Sequence, residues 1–109
     1  MDANVLRYSA FTTDPAGGNP AGVVLDARSL SDADMQRIAA DVGYSETAFL
    51  SPREDGTFDA RYFSPLTEVP FCGHATIAAS VAHAVTYGAG EKVLHTRAGR
   101  VRVDVDEQS

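Results

Sequence analysis

The stretch HATIAASVAHAVTY, residues 74–87, constrains the fold more than any other part of the chain. Read at helical spacing, Ala75, Ile77, Ala78, Ala79, Val81, Ala82, Ala84 and Val85 fall on every side and leave no polar stripe. A helix of that kind is stable only when it is surrounded, because a surface helix keeps a charged face toward water. Its small side chains suit close enclosure. Gly73, His74, His83 and Tyr87 bracket or interrupt the run, so it falls short of the roughly 18 apolar residues that a membrane span requires. The sequence therefore predicts a buried helix opening at Gly73 or His74 and running to about Tyr87.

The remaining residues supply the wrapping. Val5 to Phe11 reads as a first strand, and Val23, Val24 and Leu25 begin a second. Between them TDPAGGNPAG is turn-rich, which makes Thr13 to Gly22 a loop. Ser31 and Asp34 have the spacing of a capping box, and Met35, Ile38, Ala39 and Val42 follow at helical intervals. That pattern predicts an amphipathic surface helix ending near Gly43. ETAFLSP and TFDARYFSP, joined by the turn-like REDG, read as a hairpin of Glu46 to Leu50 with Thr57 to Phe63. Lys92 to Thr96 and Arg100 to Val105, flanking Ala98-Gly99, form a last pair, with valines alternating against Arg102 and Asp104. Mostly antiparallel strands around one central helix make an α+β domain with a curved sheet. At 109 residues the chain suits one such domain.

Charge and cysteine usage narrow the function. Fifteen acidic residues against nine basic ones give a net charge of -6 with no basic cluster, which argues against a nucleic-acid partner. The single cysteine forms no internal disulfide, and MDANVLRYSAF lacks the charged and apolar regions of an export signal. Both predict a cytoplasmic protein.

Four positions stand out as chemistry-bearing. The start of the apolar helix presents free amides at Gly73, His74 and Ala75 with the positive end of the helix dipole behind them, an arrangement that accepts a carboxylate. Glu46 opens a strand that otherwise looks buried, and burial against Tyr44 and Phe49 would raise its pKa into the range of a proton shuttle. Cys72 sits at the same helix terminus, where the dipole would lower its pKa and make it a base or nucleophile. Asn19 offers a side-chain amide to a polar ligand. Each of these residues taken alone has an ordinary structural explanation: a turn glycine, a capped histidine, an edge-strand acid, a core thiol, a turn asparagine. His83 and His95 have no partners at metal-ligand spacing and read as structural or surface residues, so no metal site is expected.

Taken together and in order, GNPAGVVL (Gly18 to Leu25), YSETAFL (Tyr44 to Leu50) and RYFSPLTEVPFCGHATIAA (Arg61 to Ala79) resemble the first half of the PhzF-type phenazine biosynthesis protein family. The resemblance implies the diaminopimelate epimerase fold, in which two similar lobes each wrap a sheet around a helix and the active site lies between them. It implies cofactor-independent proton transfer at carbon near a carboxylate. Glu46 would then be the shuttle, Gly73 and His74 would bind the substrate, and Asn19 would line the site. CGH also resembles the segment carrying a catalytic cysteine in the related thiol-based epimerases and racemases, which keeps Cys72 as an alternative acid or base. Only the motifs of the first lobe are present. The resemblance therefore implies a site completed by a homodimer partner or by a complementary second lobe, the substrate being a small carboxylate-bearing metabolite. The other alternative is a half-lobe that binds small carboxylates or a protein without turnover.

Overall fold

The computed structural model describes residues 5–10 and 19–106. Phe11 and most of the expected loop, residues 13–18, lie outside the described part. Strand β1 spans Leu6–Ala10 and β2 spans Asn19–Val24; α1 (Asp32–Val42), β3 (Glu46–Pro52), β4 (Phe58–Phe63) and β5 (Glu68–Val69) follow. Helix α2 (Gly73–Tyr87), β6 (Gly90–Thr96) and β7 (Gly99–Val105) complete the order. Asn19 to Gly22 is thus strand rather than loop, its backbone paired with β1 from Ala10↔Asn19 through Arg7↔Gly22.

The strands form one sheet in the order β1-β2-β3-β4-β6-β7, with β5 added to β4. Its pairing is more mixed than the sequence predicts. β1–β2, β3–β4 and β6–β7 are antiparallel, while β2–β3 and β4–β6 are parallel, because a helix crosses over within each parallel unit. The outer edge of β4 is divided: Phe58 and Asp59 pair with β6, and Tyr62 and Phe63 pair with β5.

The two crossovers also decide where the cores lie. Strand order advances in the same direction across the sheet in both units, but β2 and β3 run opposite to β4 and β6. Right-handed crossovers then require the helices to lie on opposite faces. Two cores result. Ala48, Leu50, Phe58, Ala60 and Tyr62 face Ala75, Ala78, Ala79 and Ala82 of α2, while Phe49 and Phe63 face Met35 and Ala39 of α1. Alternation along β3 and β4 assigns each side chain to one core or the other.

Helix α1 begins as the capping box predicts. Ser31 Oγ accepts from the Asp34 amide at 3.1 Å, and Asp34 Oδ2 accepts from the Ser31 amide at 3.0 Å. It ends at Gly43, whose φ of 78° is left-handed and suits glycine.

Helix α2 is enclosed between Ala75 and Ala82, with Ala75, Thr76, Ala78, Ala79, Ser80 and Ala82 buried. Its two buried hydroxyls donate to carbonyls one turn back: Thr76 Oγ1 to Cys72 O and Ser80 Oγ to Thr76 O, both at 2.8 Å. The enclosure is incomplete, however. Val85 and Tyr87 are 68% and 69% exposed, so the last turn emerges beyond the curl of the sheet instead of being buried on all sides. Lys92, itself buried, donates from Nζ to Gly88 O at 2.7 Å and lies 2.9 Å from His83 Nδ1, closing the end of α2. His83 packs edge-on to Phe58, and His95 meets Thr57 Oγ1 at 3.1 Å. No described helix is long and apolar enough to cross a membrane.

Candidate active site

Glu46 is the first residue of β3 and shares the parity of Ala48 and Leu50, so it points to the α2 side of the sheet. Phe49 has the opposite parity and packs against Phe63 and α1. The expected burial of Glu46 against Phe49 is therefore excluded by alternation. Glu46 instead meets the head of α2. Its Oε1 lies 3.5 Å from Cys72 Sγ and 3.6 Å from His74 Nε2, and Cys72 Sγ lies 3.2 Å from His74 Nδ1. The Glu46 and His74 side chains are 19% and 16% exposed, so the cluster is half-buried and open on one side.

The head of α2 is tied to the sheet by hydrogen bonds. Tyr62, fully buried on β4, shares a 2.7 Å hydrogen bond with Thr76, whose hydroxyl is tied in turn to the Cys72 carbonyl. This chain fixes the first turn against the same sheet that carries Glu46. Tyr62 and Thr76 are the positioning residues that pattern reading missed, although their burial follows from the parity of β4. A side chain built on Gly73 would meet nothing within 4 Å. Internal packing does not demand glycine there, so the bare backbone leaves the helix terminus open outward.

Burial pushes the Cys72 thiol above its ordinary pKa, and the nearby Glu46 carboxylate adds to the rise. The amides of Ala75 and His74 oppose this without making a capping hydrogen bond of good geometry. The sequence expectation of a thiol activated by the helix dipole is thus reversed: desolvation outweighs the dipole. Asn19 begins β2, and its side chain lies outside the described residues. Among the described residues, then, the sheet brings together Glu46, Cys72, Gly73 and His74, all at one end of α2.

A second constraint lies beside them. Gly22 of β2 pairs with Thr47 of β3, and a β-carbon on Gly22 would stand 2.9 Å from Thr47 Oγ1, 3.0 Å from Thr47 Cγ2 and 3.2 Å from Val42 Cγ1. Glycine at this position lets β2 lie close against the residue that follows Glu46.

A mixed sheet curled around a small-residue helix, with a carboxylate meeting the helix head, defines an α+β protein of the PhzF/epimerase-like fold. The model of the phenazine biosynthesis-like PhzC-PhzF family matches residues 8–109, and the chain belongs to that family. Its curated relatives include the uncharacterized isomerase YddE of Salmonella typhimurium, 48% identical over 96% of this chain, and that of Escherichia coli K12, 44% identical over all of it. The chain spans 36% and 37% of the length of these two relatives. Among solved structures, a PhzF family phenazine biosynthesis protein of Bacillus anthracis superimposes with a TM-score of 0.87 at 38% identity. That match covers 99% of this chain and 38% of the other. A PhzF family protein of Enterococcus faecalis gives 0.87 at 30% identity, covering 98% and 42%.

Proposed function

We propose that residues 1–109 form one lobe of a PhzF-like isomerase that moves a proton, without a cofactor, at carbon next to a carboxylate. The observation that carries this reading is the placement of Glu46 across the head of α2, with Oε1 3.6 Å from His74 Nε2. A carboxylate so placed reaches whatever the helix terminus holds. The substrate's own carboxylate would rest on the open amides of Gly73, His74 and Ala75, where the helix dipole favours negative charge. His74 would add a donor, Asn19 would line the site, and Glu46 would take a proton from one carbon and return it to another. The raised pKa of Cys72 favours the glutamate over the thiol, since a neutral thiol is a poor base at pH 7.

One lobe supplies one side of a cleft. Leu66 and Phe71, close in sequence to the helix head, are 91% and 41% exposed, which suits a face that another lobe covers. A second copy related by a two-fold would bring two Glu46 side chains and two helix heads around one cleft in the cytoplasm.

The test joins mass to chemistry. Light scattering gives the number of chains, and deuterium incorporation from heavy water is followed across a panel of small carboxylic acids bearing an acidic neighbouring C–H. The reading expects incorporation by the dimer, or by the chain supplied with a second lobe. A two-fold interface of roughly 1,200 Å² or more should then contain the Cys72-Gly73-His74 end of α2. A monomer that binds carboxylates without exchange, or a dimer joined through α1, would favour a binding module instead.

A further inference from the structure

We propose that Glu46, Cys72 and His74 form a binding site for a borderline-soft divalent cation, Zn²⁺ or its analogue Cd²⁺. One oxygen, one sulfur and one nitrogen atom from these side chains all lie within 4.8 Å of one another. The ligands come from two elements that meet only through the fold, the first residue of β3 and the head of α2.

Tetrahedral zinc sets the distances between its own ligands. Bond lengths of about 2.3 Å to sulfur and about 2.0 to 2.2 Å to nitrogen and oxygen place ligand atoms about 3.4 to 3.6 Å apart. Here Glu46 Oε1 stands 3.5 Å from Cys72 Sγ and 3.6 Å from His74 Nε2, within about 0.2 Å of that requirement. The third edge, Cys72 Sγ to His74 Nε2, is 4.0 Å, and Sγ stands nearer Nδ1 at 3.2 Å, so the imidazole must turn to present Nε2 to a shared ion. Three protein ligands leave the fourth tetrahedral position to water, as in an open site rather than a closed structural one.

Charge also balances. Binding displaces one proton from the Cys72 thiol to solvent and forms a sulfur–metal bond, while Glu46 binds as carboxylate and His74 as neutral imidazole. Two negative ligands neutralise the dication, so the complex presents no net charge to the positive end of the α2 dipole, which would repel a bare cation. The mixed sulfur, nitrogen and oxygen set suits zinc or cadmium and not the oxygen-seeking magnesium or calcium. Metal binding stands on this geometry alone. Its consequence rests on the proposed role of Glu46: a carboxylate held by the metal is a weaker base and is no longer free to approach the substrate carbon, so the ion would block exchange reversibly.

The experiment is a titration of the purified chain with Cd²⁺, following the ultraviolet absorption of the cadmium–thiolate bond, with circular dichroism as a check on folding. The site predicts saturation at one ion per chain, loss of the band in Cys72→Ser, and at least about tenfold weaker binding in each of Glu46→Gln and His74→Asn. No band with the wild-type chain would overturn the site. So would a band whose affinity is unchanged in both Glu46→Gln and His74→Asn, which would mark a lone thiol. Should Cys72→Ser fail to fold, the Glu46→Gln and His74→Asn variants decide. Full occupancy with undiminished deuterium exchange would overturn the Glu46 reading and leave the metal site standing.

Discussion

Replacing Gly22 with alanine tests the close approach of β2 to β3. The new β-carbon would stand 2.9 Å and 3.0 Å from two atoms of Thr47 and 3.2 Å from Val42. Thr47 is fully buried and β-branched, so its χ1 has little freedom to yield. Overpacking of this kind costs about 1 to 3 kcal/mol. Against it, alanine restricts the unfolded chain and returns about 0.4 to 1 kcal/mol. The net expectation is a loss of about 1 to 2 kcal/mol, or roughly 4 to 8 °C in Tm for a domain of this size. Thermal and urea denaturation of Gly22→Ala, Thr47→Ala and the double variant measure it. If the clash is the cause, the double variant should recover about 1 kcal/mol relative to the sum of the singles. A Gly22→Ala protein as stable as the parent, or single effects that simply add, would refute the reasoning.

Three further perturbations follow from the same structure. Thr47 Oγ1 is buried and has no hydrogen-bond partner among the described residues, so Thr47→Val should raise stability by about 1 kcal/mol in urea denaturation. Arg61, with Arg97 beside it, holds the Glu68 carboxyl down to about 2. A depressed carboxylate contributes stability above its unfolded pKa and loses it as pH falls, so about 1 to 2 kcal/mol after solvent screening should disappear between about pH 4.5 and 2. Glu68→Gln should flatten that limb of the pH–stability curve. Ser31→Ala removes one half of the capping box and should cost about 1 kcal/mol, with Ser31→Gly costing only a few tenths.

Much of the fold was legible because local signals agreed with tertiary ones. The capping box, the hairpin of β3 and β4, and the uniformly apolar α2 each carry their environment in their spacing. The strand character of Asn19 to Gly22 was not legible, since GNPAG is locally a turn sequence and only pairing with β1 and β3 extends it. Gly22 looked like a turn residue for the same reason; the requirement comes from Thr47, twenty-five residues later. Parallel pairing was missed because it depends on which strands the two helices connect across the sheet. In the candidate site, the choice of Glu46, Gly73 and His74 came from motif order, and the structure shows that they lie together. The Cys72 pKa was misjudged because a dipole is visible in sequence and desolvation is not. The convergence of Glu46 with the helix head required the parity of β3, which also separates it from Phe49.

The most direct test of the proposed chemistry compares Glu46→Gln with Cys72→Ala in an assembly with a complete cleft. Incorporation of solvent deuterium into a bound carboxylic acid is measured by mass spectrometry, and binding of the same acid is measured in parallel by calorimetry. Glutamine keeps the shape of Glu46 but cannot carry a proton, so exchange should vanish while carboxylate binding stays within about threefold of the parent. Cys72→Ala should retain most of the exchange rate. Exchange that survives in Glu46→Gln and is lost in Cys72→Ala would contradict the account and assign the proton transfer to the thiol.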